Sequence, residues 1–496
     1  MNSFNAKVMI HPDQRLGEVH SRLHGFLTEH AGESIYEGIW TLGNTNYAKH
    51  PGLRTQVIQP LRQLRPGIVQ WPGGQFANYY QWEDGIGLPA SRPASENLIW
   101  SGDETNQFGT DEFNRFCNKL NAEPHHCLNI ATATPRDAVH WLEYCNSSDR
   151  SRFGRMRSRA SHPEPYLVNY WTVGYEPWER GGFLTTEDYA AEFRRYAGLM
   201  KQIDNDLHMI ACGSVDTQWN EALLASLSST PHLFDSLSMS TSFSSELAGG
   251  SLPSNEADFY ALFAYLPMLE DRILQTIKML DRNSSNSRIG LGLSEWGIQH
   301  PEAKKENALL QPSTMRDALM AACTLHLLYR YAKRIQFAQI AYPVNGLQCL
   351  VRIHKEMMFF TPTYYVFNML MAHIGKQGIG TMVASPKLTL KNPRGTCHMS
   401  RIHAFSSVND EGNRLVVTLI NVDMEDEAIV SIYLKGDRAV EGADVKVLYA
   451  DSPLEENELT APTRIEPYES VMDRIDNPSV KILPPASVTR LILSLR

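Results

Sequence analysis

Tyr166-Leu-Val-Asn-Tyr-Trp-Thr-Val-Gly-Tyr-Glu-Pro-Trp178 carries the first structural signal in this chain. Leu167–Val173 is a run of strand length, stopped at once by Gly174, the carboxylate Glu176 and Pro177. A short apolar run bounded by turn residues predicts a buried parallel strand, here with an acid at its end. Ile289-Gly-Leu-Gly-Leu-Ser-Glu-Trp-Gly297 repeats the pattern and delivers Glu295. Working outward, further runs fall at Leu23–Leu27, Gly67–Trp71, His126–Ile130, Met209–Cys212, Leu237–Ser240 and Gln336–Ala341, which makes eight before residue 345. The segments between them have helical periodicity. After an expected N-cap at Thr110, for example, Phe113, Phe116, Cys117 and Leu120 form one stripe, and Thr185 leads into Tyr189, Phe193, Tyr196, Met200 and Ile203. Met315–Lys333 reads as a barrel-wall helix, part of which is expected to serve a subunit interface.

Eight alternating strand and helix units predict a (β/α)8 TIM barrel over residues 16–375. A doubly wound open sheet is the competing arrangement, although no Gly-rich phosphate loop follows the first strand. Beyond residue 375 the pattern changes to short β-branched runs, Arg414–Asn421, Ala428–Leu434, Val445–Tyr449 and Ser487–Leu495. These predict an all-β jelly-roll or sandwich domain over residues 376–496, joined by an N-terminal strand from residues 1–15.

Composition narrows the function. The 496 residues are 43% hydrophobic, and Lys plus Arg number 46 against 55 for Asp plus Glu, a net charge of −9. That balance argues against nucleic acid as a partner. No apolar run reaches the ~18 residues of a membrane span, and the N-terminus lacks the basic-then-apolar pattern of a secretory signal. Seven cysteines without a CxxC spacing read as reduced thiols of a cytoplasmic protein. His20, His24, His30, His125 and His126 come without HExxH or Cys/His spacing, so neither a metal nor a cofactor is expected.

In a barrel, chemistry collects where the strands end. Glu176 and Glu295 follow strands four and seven, and each is close to a Trp, a setting in which desolvation raises a carboxyl pKa. A single such acid is as easily a structural ion pair. Two of them fit hydrolysis of a glycosidic bond with retention, which needs carboxyls about 5 to 5.5 Å apart. Trp71, Trp82, Trp100, Trp178 and Trp296 flank the site, where indole faces either stack on sugar or fill the core. Glu83 and Asp84 read as rim acids of a loop.

Further stretches, in order, are Leu23-His-Gly-Phe-Leu-Thr-Glu29-His, Trp71-Pro-Gly-Gly-Gln-Phe76, Trp82-Glu-Asp-Gly-Ile-Gly87, Phe108-Gly-Thr-Asp-Glu-Phe113 and Ser294-Glu-Trp296. On these, and over nearly its whole length, the chain resembles glycoside hydrolase family 51, the α-L-arabinofuranosidase family of clan A. The resemblance implies a barrel with a C-terminal jelly roll, a retaining mechanism and often a hexamer. It makes Glu176 the acid/base, Glu295 the nucleophile and Glu29 a ligand of the sugar's terminal hydroxyl.

The departures from the family pattern cluster around the expected sugar pocket. Tyr175 stands where the family has the Asn that binds the 2-hydroxyl. Gln75 replaces Asn in Pro-Gly-Gly-Asn, Ser240 replaces the His of Ser-x-His, and Tyr342 lies near the place of a sugar-binding Gln. Glu29, Gln75, Tyr175, Ser240, Trp296 and Tyr342 are therefore the expected substrate-binding residues. The expected activity is release of terminal furanosyl groups, α-L-arabinofuranosyl first, from oligosaccharides. The same chemistry on another glycone such as β-D-galactofuranose, or sugar binding without turnover, is the alternative.

Overall fold

The computed structural model describes residues 2–43, 51–283, 289–392, 395–436, 439–473 and 476–496. Eight parallel strands close into a barrel in chain order: Gly25–Leu27, Ile68–Trp71, Glu123–Leu128, Tyr170–Val173, His208–Cys212, Ser236–Ser244, Gly290–Gln299 and Ile335–Ala341. The eighth pairs with the first through Gln339 and Gly25, and this closure excludes the open sheet. Three strands differ from expectation by two or more residues at their starts. Ser21–His24 turns as a 3-10 helix before the first strand, the third begins at Glu123, where it pairs with Ile68, rather than at His126, and the fourth begins at Tyr170 rather than at Leu167.

Alternation along each strand sorts side chains between the barrel interior and the helices outside. Ile68, Tyr170, Ile210 and Phe337 meet as one interior cluster. Trp71, Trp171, Leu237, Leu291 and Leu293 belong to the larger core outside the barrel wall. Gly292 keeps the interior open for Phe337, whose ring lies only 2.1 Å from where a Cβ would sit.

The helix Thr110–Leu120 is capped by Gly109, not Thr110. The Glu112 carboxylate reaches back to the Gly109 N–H at 2.9 Å, and Thr110 instead accepts a bond from the Trp141 indole. Thr185 caps Thr186–Ile203 by accepting from the Asp188 N–H. Met315–Arg330 corrects the expected subunit face, because every residue from Met315 to Tyr329 is buried. This helix packs under the C-terminal sheet, where His326 meets the Thr418 hydroxyl at 2.5 Å. Its apolar surface holds the two parts of the chain together.

The C-terminal part is built on a nine-stranded sheet, with a separate two-stranded pair of Lys387–Asn392 and Gly395–Ser400. The N-terminal strand Ser3–Glu18 lies within it, parallel to Glu427–Leu434 and antiparallel to Gln377–Ala384. Val8, Ile379, Val417, Val430 and Leu491 converge on a single core, so the sheet wraps around its own inner face. Arg414–Asn421 and Ser487–Leu495 have their expected limits, whereas the strand expected at Val445–Tyr449 starts earlier and spans Val440–Leu448. All seven cysteines are free thiols, six of them buried. No helix among the described residues is long and apolar enough to cross a membrane.

Candidate active site

Both expected catalytic carboxylates sit at the C-terminal mouth of the barrel, and local backbone devices put them there. After strand four, Gly174 (φ 74°) and Glu176 (φ 42°) are left-handed, a conformation that costs a non-Gly residue on the order of 1 kcal/mol. The neighbourhood holds this turn in place. Asn78 donates to the Tyr175 carbonyl at 2.7 Å and accepts from the Tyr175 N–H at 3.0 Å, while the Cys212 thiol reaches the Gly174 carbonyl at 2.9 Å.

On strand seven the device is a β-bulge. Met239 of strand six pairs with Leu293, but the next residue, Ser240, pairs with Glu295, which leaves Ser294 as the extra residue. Without the bulge, Glu295 would follow Leu291 and Leu293 to the outer face. With it, Glu295 turns to the mouth and Trp296 turns outward.

Trp296 is accordingly 1% exposed and stacks on Phe367, with ring centroids 6.0 Å apart. Its indole supports the strand from behind instead of lining the mouth. Trp71 and Trp82 are buried in the same core. Trp100 and Trp178 remain partly exposed, with Trp178 edge-on to Trp219 at 4.9 Å.

The remaining expected residues converge on the two acids. Glu295 Oε1 accepts from the Ser242 hydroxyl at 2.8 Å and Oε2 accepts from the Tyr175 hydroxyl. Tyr175 also lies 3.0 Å from Ser240 Oγ. Glu176 accepts from the Gln75 side-chain amide, whose Oε1 has no partner although it is buried. Glu29, 2% exposed, accepts from the Phe76 N–H at 2.8 Å and from the Tyr342 hydroxyl at 2.5 Å. Gly73 lets Glu29 in, since a Cβ there would stand 2.3 Å from Glu29 Cγ.

Sequence reading missed Ser242 and Asn78. The period-two row Ser236, Ser238, Ser240, Ser242 was a legible sign that one face of strand six is hydroxyl-lined up to the mouth. Asn78 had no such signal.

Electrostatics separates the two carboxyls. Burial raises Glu176 to about 8, reinforced by the charge on Glu295 and then by Glu179, while the Gln75 amide opposes the shift. Burial raises Glu295 as well, but the hydroxyls of Tyr175 and Ser242 counter it by favouring the charged form. One group is thus held as an acid at neutral pH and the other is supplied with donors for its anion.

The histidines serve the frame. His125 bridges the Thr172 hydroxyl at 2.7 Å and the Gln339 amide at 3.1 Å, and His126 lies among Trp71, Trp141 and Trp171. Among the described residues no group of three His, Cys, Asp or Glu is arranged to hold a metal ion. Glu83 and Asp84 lie on a 3-10 turn, with Glu83 exposed and Asp84 half-buried.

Two family models match the chain, the α-L-arabinofuranosidase 1 domain over residues 60–245 and the α-L-arabinofuranosidase C-terminal domain over residues 294–487. The intracellular exo-α-L-arabinofuranosidase of Bacteroides ovatus is 30% identical over 99% of this chain and 96% of its own length. The chain belongs to the α-L-arabinofuranosidase family, glycoside hydrolase family 51. A probable α-L-arabinofuranosidase C of Aspergillus niger is 33% identical, over 73% of this chain and 74% of that protein. Among solved structures, the GH51 arabinofuranosidase of Xanthomonas axonopodis pv. citri superposes with a TM-score of 0.91 at 26% identity, covering 99% of this chain and 100% of that one. The Thermotoga maritima α-L-arabinofuranosidase, solved as an arabinose complex, gives 0.89 at 26% identity, covering 99% and 100%. As a member of this arabinofuranosidase family the chain is a glycosidase.

Proposed function

We propose that this glycosidase releases non-reducing terminal α-L-arabinofuranosyl groups from oligosaccharides with retention of configuration. Glu295 attacks the anomeric carbon while Glu176 gives its proton to the departing oxygen. Glu176, now a carboxylate, then takes a proton from the water that cleaves the glycosyl-enzyme. The observation that carries this reading is the opposed environment of the pair, with Glu176 raised to about 8 and Glu295 held by two hydroxyl donors.

Glu29, anchored by Phe76 N–H and Tyr342, retains lone pairs to accept from a sugar hydroxyl, a strong orienting contact for a carboxylate. The presence of both acids and Glu29 in one mouth argues for turnover over binding alone. The names of the relatives favour arabinofuranose over another glycone. We further place the protein in the cytoplasm, as the Bacteroides ovatus relative is named intracellular, and expect a homo-oligomer, the hexamer implied by the family resemblance, which light scattering would read.

An aryl α-L-arabinofuranoside, assayed beside β-D-galactofuranoside and pyranoside analogues, tests the glycone. Preference for any of the others would overturn it. Mass-spectrometric trapping of a glycosylated Glu295 peptide tests the nucleophile.

A further inference from the structure

Tyr175 was expected to touch the sugar, but its hydroxyl is already engaged. A phenol carries one proton, and the Glu295 carboxylate has none to give, so the Tyr175 O–H donates to Glu295 Oε2. The 3.0 Å contact with Ser240 must then run the other way, from the Ser240 hydroxyl to the phenolic oxygen. The result is a directed chain from Ser240 through Tyr175 to Glu295.

The ring is locked as well. It packs with Ala77 and Cys127, lies against Gly74, where a Cβ would be 3.0 Å from its Cζ, and is 4% exposed. Its backbone is held on both polar atoms by Asn78. A side chain fixed at ring, backbone and hydroxyl has little freedom to turn toward a ligand.

We propose that Tyr175 is a positioning residue for Glu295, fixing the orientation of that carboxylate and stabilising its anion, and is not a contact to the substrate. The inference rests on Glu295 being the nucleophile. The groups facing Glu295 make the need clear. Tyr175 and Glu176 come from the end of strand four, Ser240 and Ser242 from strand six, Glu29 from just past strand one and Tyr342 from the end of strand eight. The acids among them, Glu29 and Glu176, are both carboxyl groups and bring no positive charge to Glu295. In that company an attacking anion depends on neutral hydroxyl donors, and the Tyr175 phenol, itself pushed well above its usual range by burial and by Glu295, stays protonated to donate.

The test is the pH profile of the full-length Tyr175→Phe enzyme on an aryl α-L-arabinofuranoside. A hydrogen bond to a charged group is strong enough that its loss should lower kcat about tenfold and move the acid limb of kcat/KM up by about one pH unit, with KM within about twofold. Ser240→Ala, which breaks the chain one step back and leaves the phenol in place, should move the same limb the same way by less. It is the second reading if Tyr175→Phe does not fold. An acid limb that stays put in the folded Tyr175→Phe enzyme, or in Ser240→Ala if that variant is the one read, overturns the proposal. So does a rise in KM with the limb unmoved, which would mark Tyr175 as a sugar contact. Glu295→Ala is run alongside. If it keeps full activity, the nucleophile assignment fails, whereas an inactive Glu295→Ala with an unmoved limb in Tyr175→Phe sinks this inference alone.

Discussion

The ends of strands four and seven present the same residue type in opposite ways. Glu176 is put in place by a left-handed turn and accepts from one amide, while Glu295 is turned by a bulge and accepts from two hydroxyls. Burial raises both, yet the first also feels the charge of the second. On the proposed mechanism, the contrast is how one mouth divides labour between identical carboxyls. Desolvation makes both reluctant to ionise, and the number of donors around each then decides which carries the charge.

The strongest way to break this contrast is to remove the member assigned to attack. Glu295→Ala should lose about 10⁴-fold or more of kcat on any furanoside, and no leaving group should compensate. Next comes the acid. Glu176→Ala should lose about 10²- to 10⁴-fold on an oligosaccharide, but far less on an aryl glycoside whose leaving group needs no proton. The wild-type enzyme should lose kcat/KM as pH rises through about 8, because the proton on Glu176 is then released, and Glu176→Gln should lack that basic limb. Equal losses on the two substrates for Glu176→Ala would contradict the division of roles.

How much of this contrast was written in the sequence depends on which force placed each group. The eight strands were legible because a buried parallel strand has to be an apolar run, and both acids were legible because they interrupt such runs. Trp296 was misread because alternation counts residues and a bulge adds one. Nothing in Leu293-Ser294-Glu295-Trp296 signals that Ser294 is the extra residue. The link from Tyr175 to Glu295 was hidden for a different reason, since its partner Ser240 is 65 positions away and only barrel closure brings the two together. In the C-terminal sheet, Tyr468–Met472 escaped notice because it lies at the sheet edge with no residue fully buried, so it shows no apolar run.

A finer probe acts on the donors. Gln75→Ala removes the amide that stabilises the Glu176 carboxylate, so the pKa of that acid should rise further. The sign follows directly: a donor favours the charged form, and without it the proton is held to higher pH. The basic limb of kcat/KM should therefore move up by less than about one pH unit. At the same time kcat/KM should fall about tenfold, because Gln75 Oε1, buried without a partner, is then no longer there to accept from a sugar hydroxyl. A basic limb that moved down instead would mean that Gln75 orients Glu176 as an acid and does not stabilise its anion.

The smallest effect expected separates the hydroxyls on strand six from one another. Ser242 donates to Glu295 directly at 2.8 Å, whereas Ser240 acts through Tyr175 at 3.0 Å. Losing a neutral hydrogen bond one step removed from the charge costs about 0.5 to 1.5 kcal/mol, so Ser240→Ala should reduce kcat by less than about tenfold. Ser242→Ala, which strips a donor from the carboxylate itself, should cost more and shift the acid limb further upward. Side-by-side pH profiles of the two variants measure this ordering. The reverse order would mean that the route through the phenol, and not the direct bond, dominates the ionisation of Glu295.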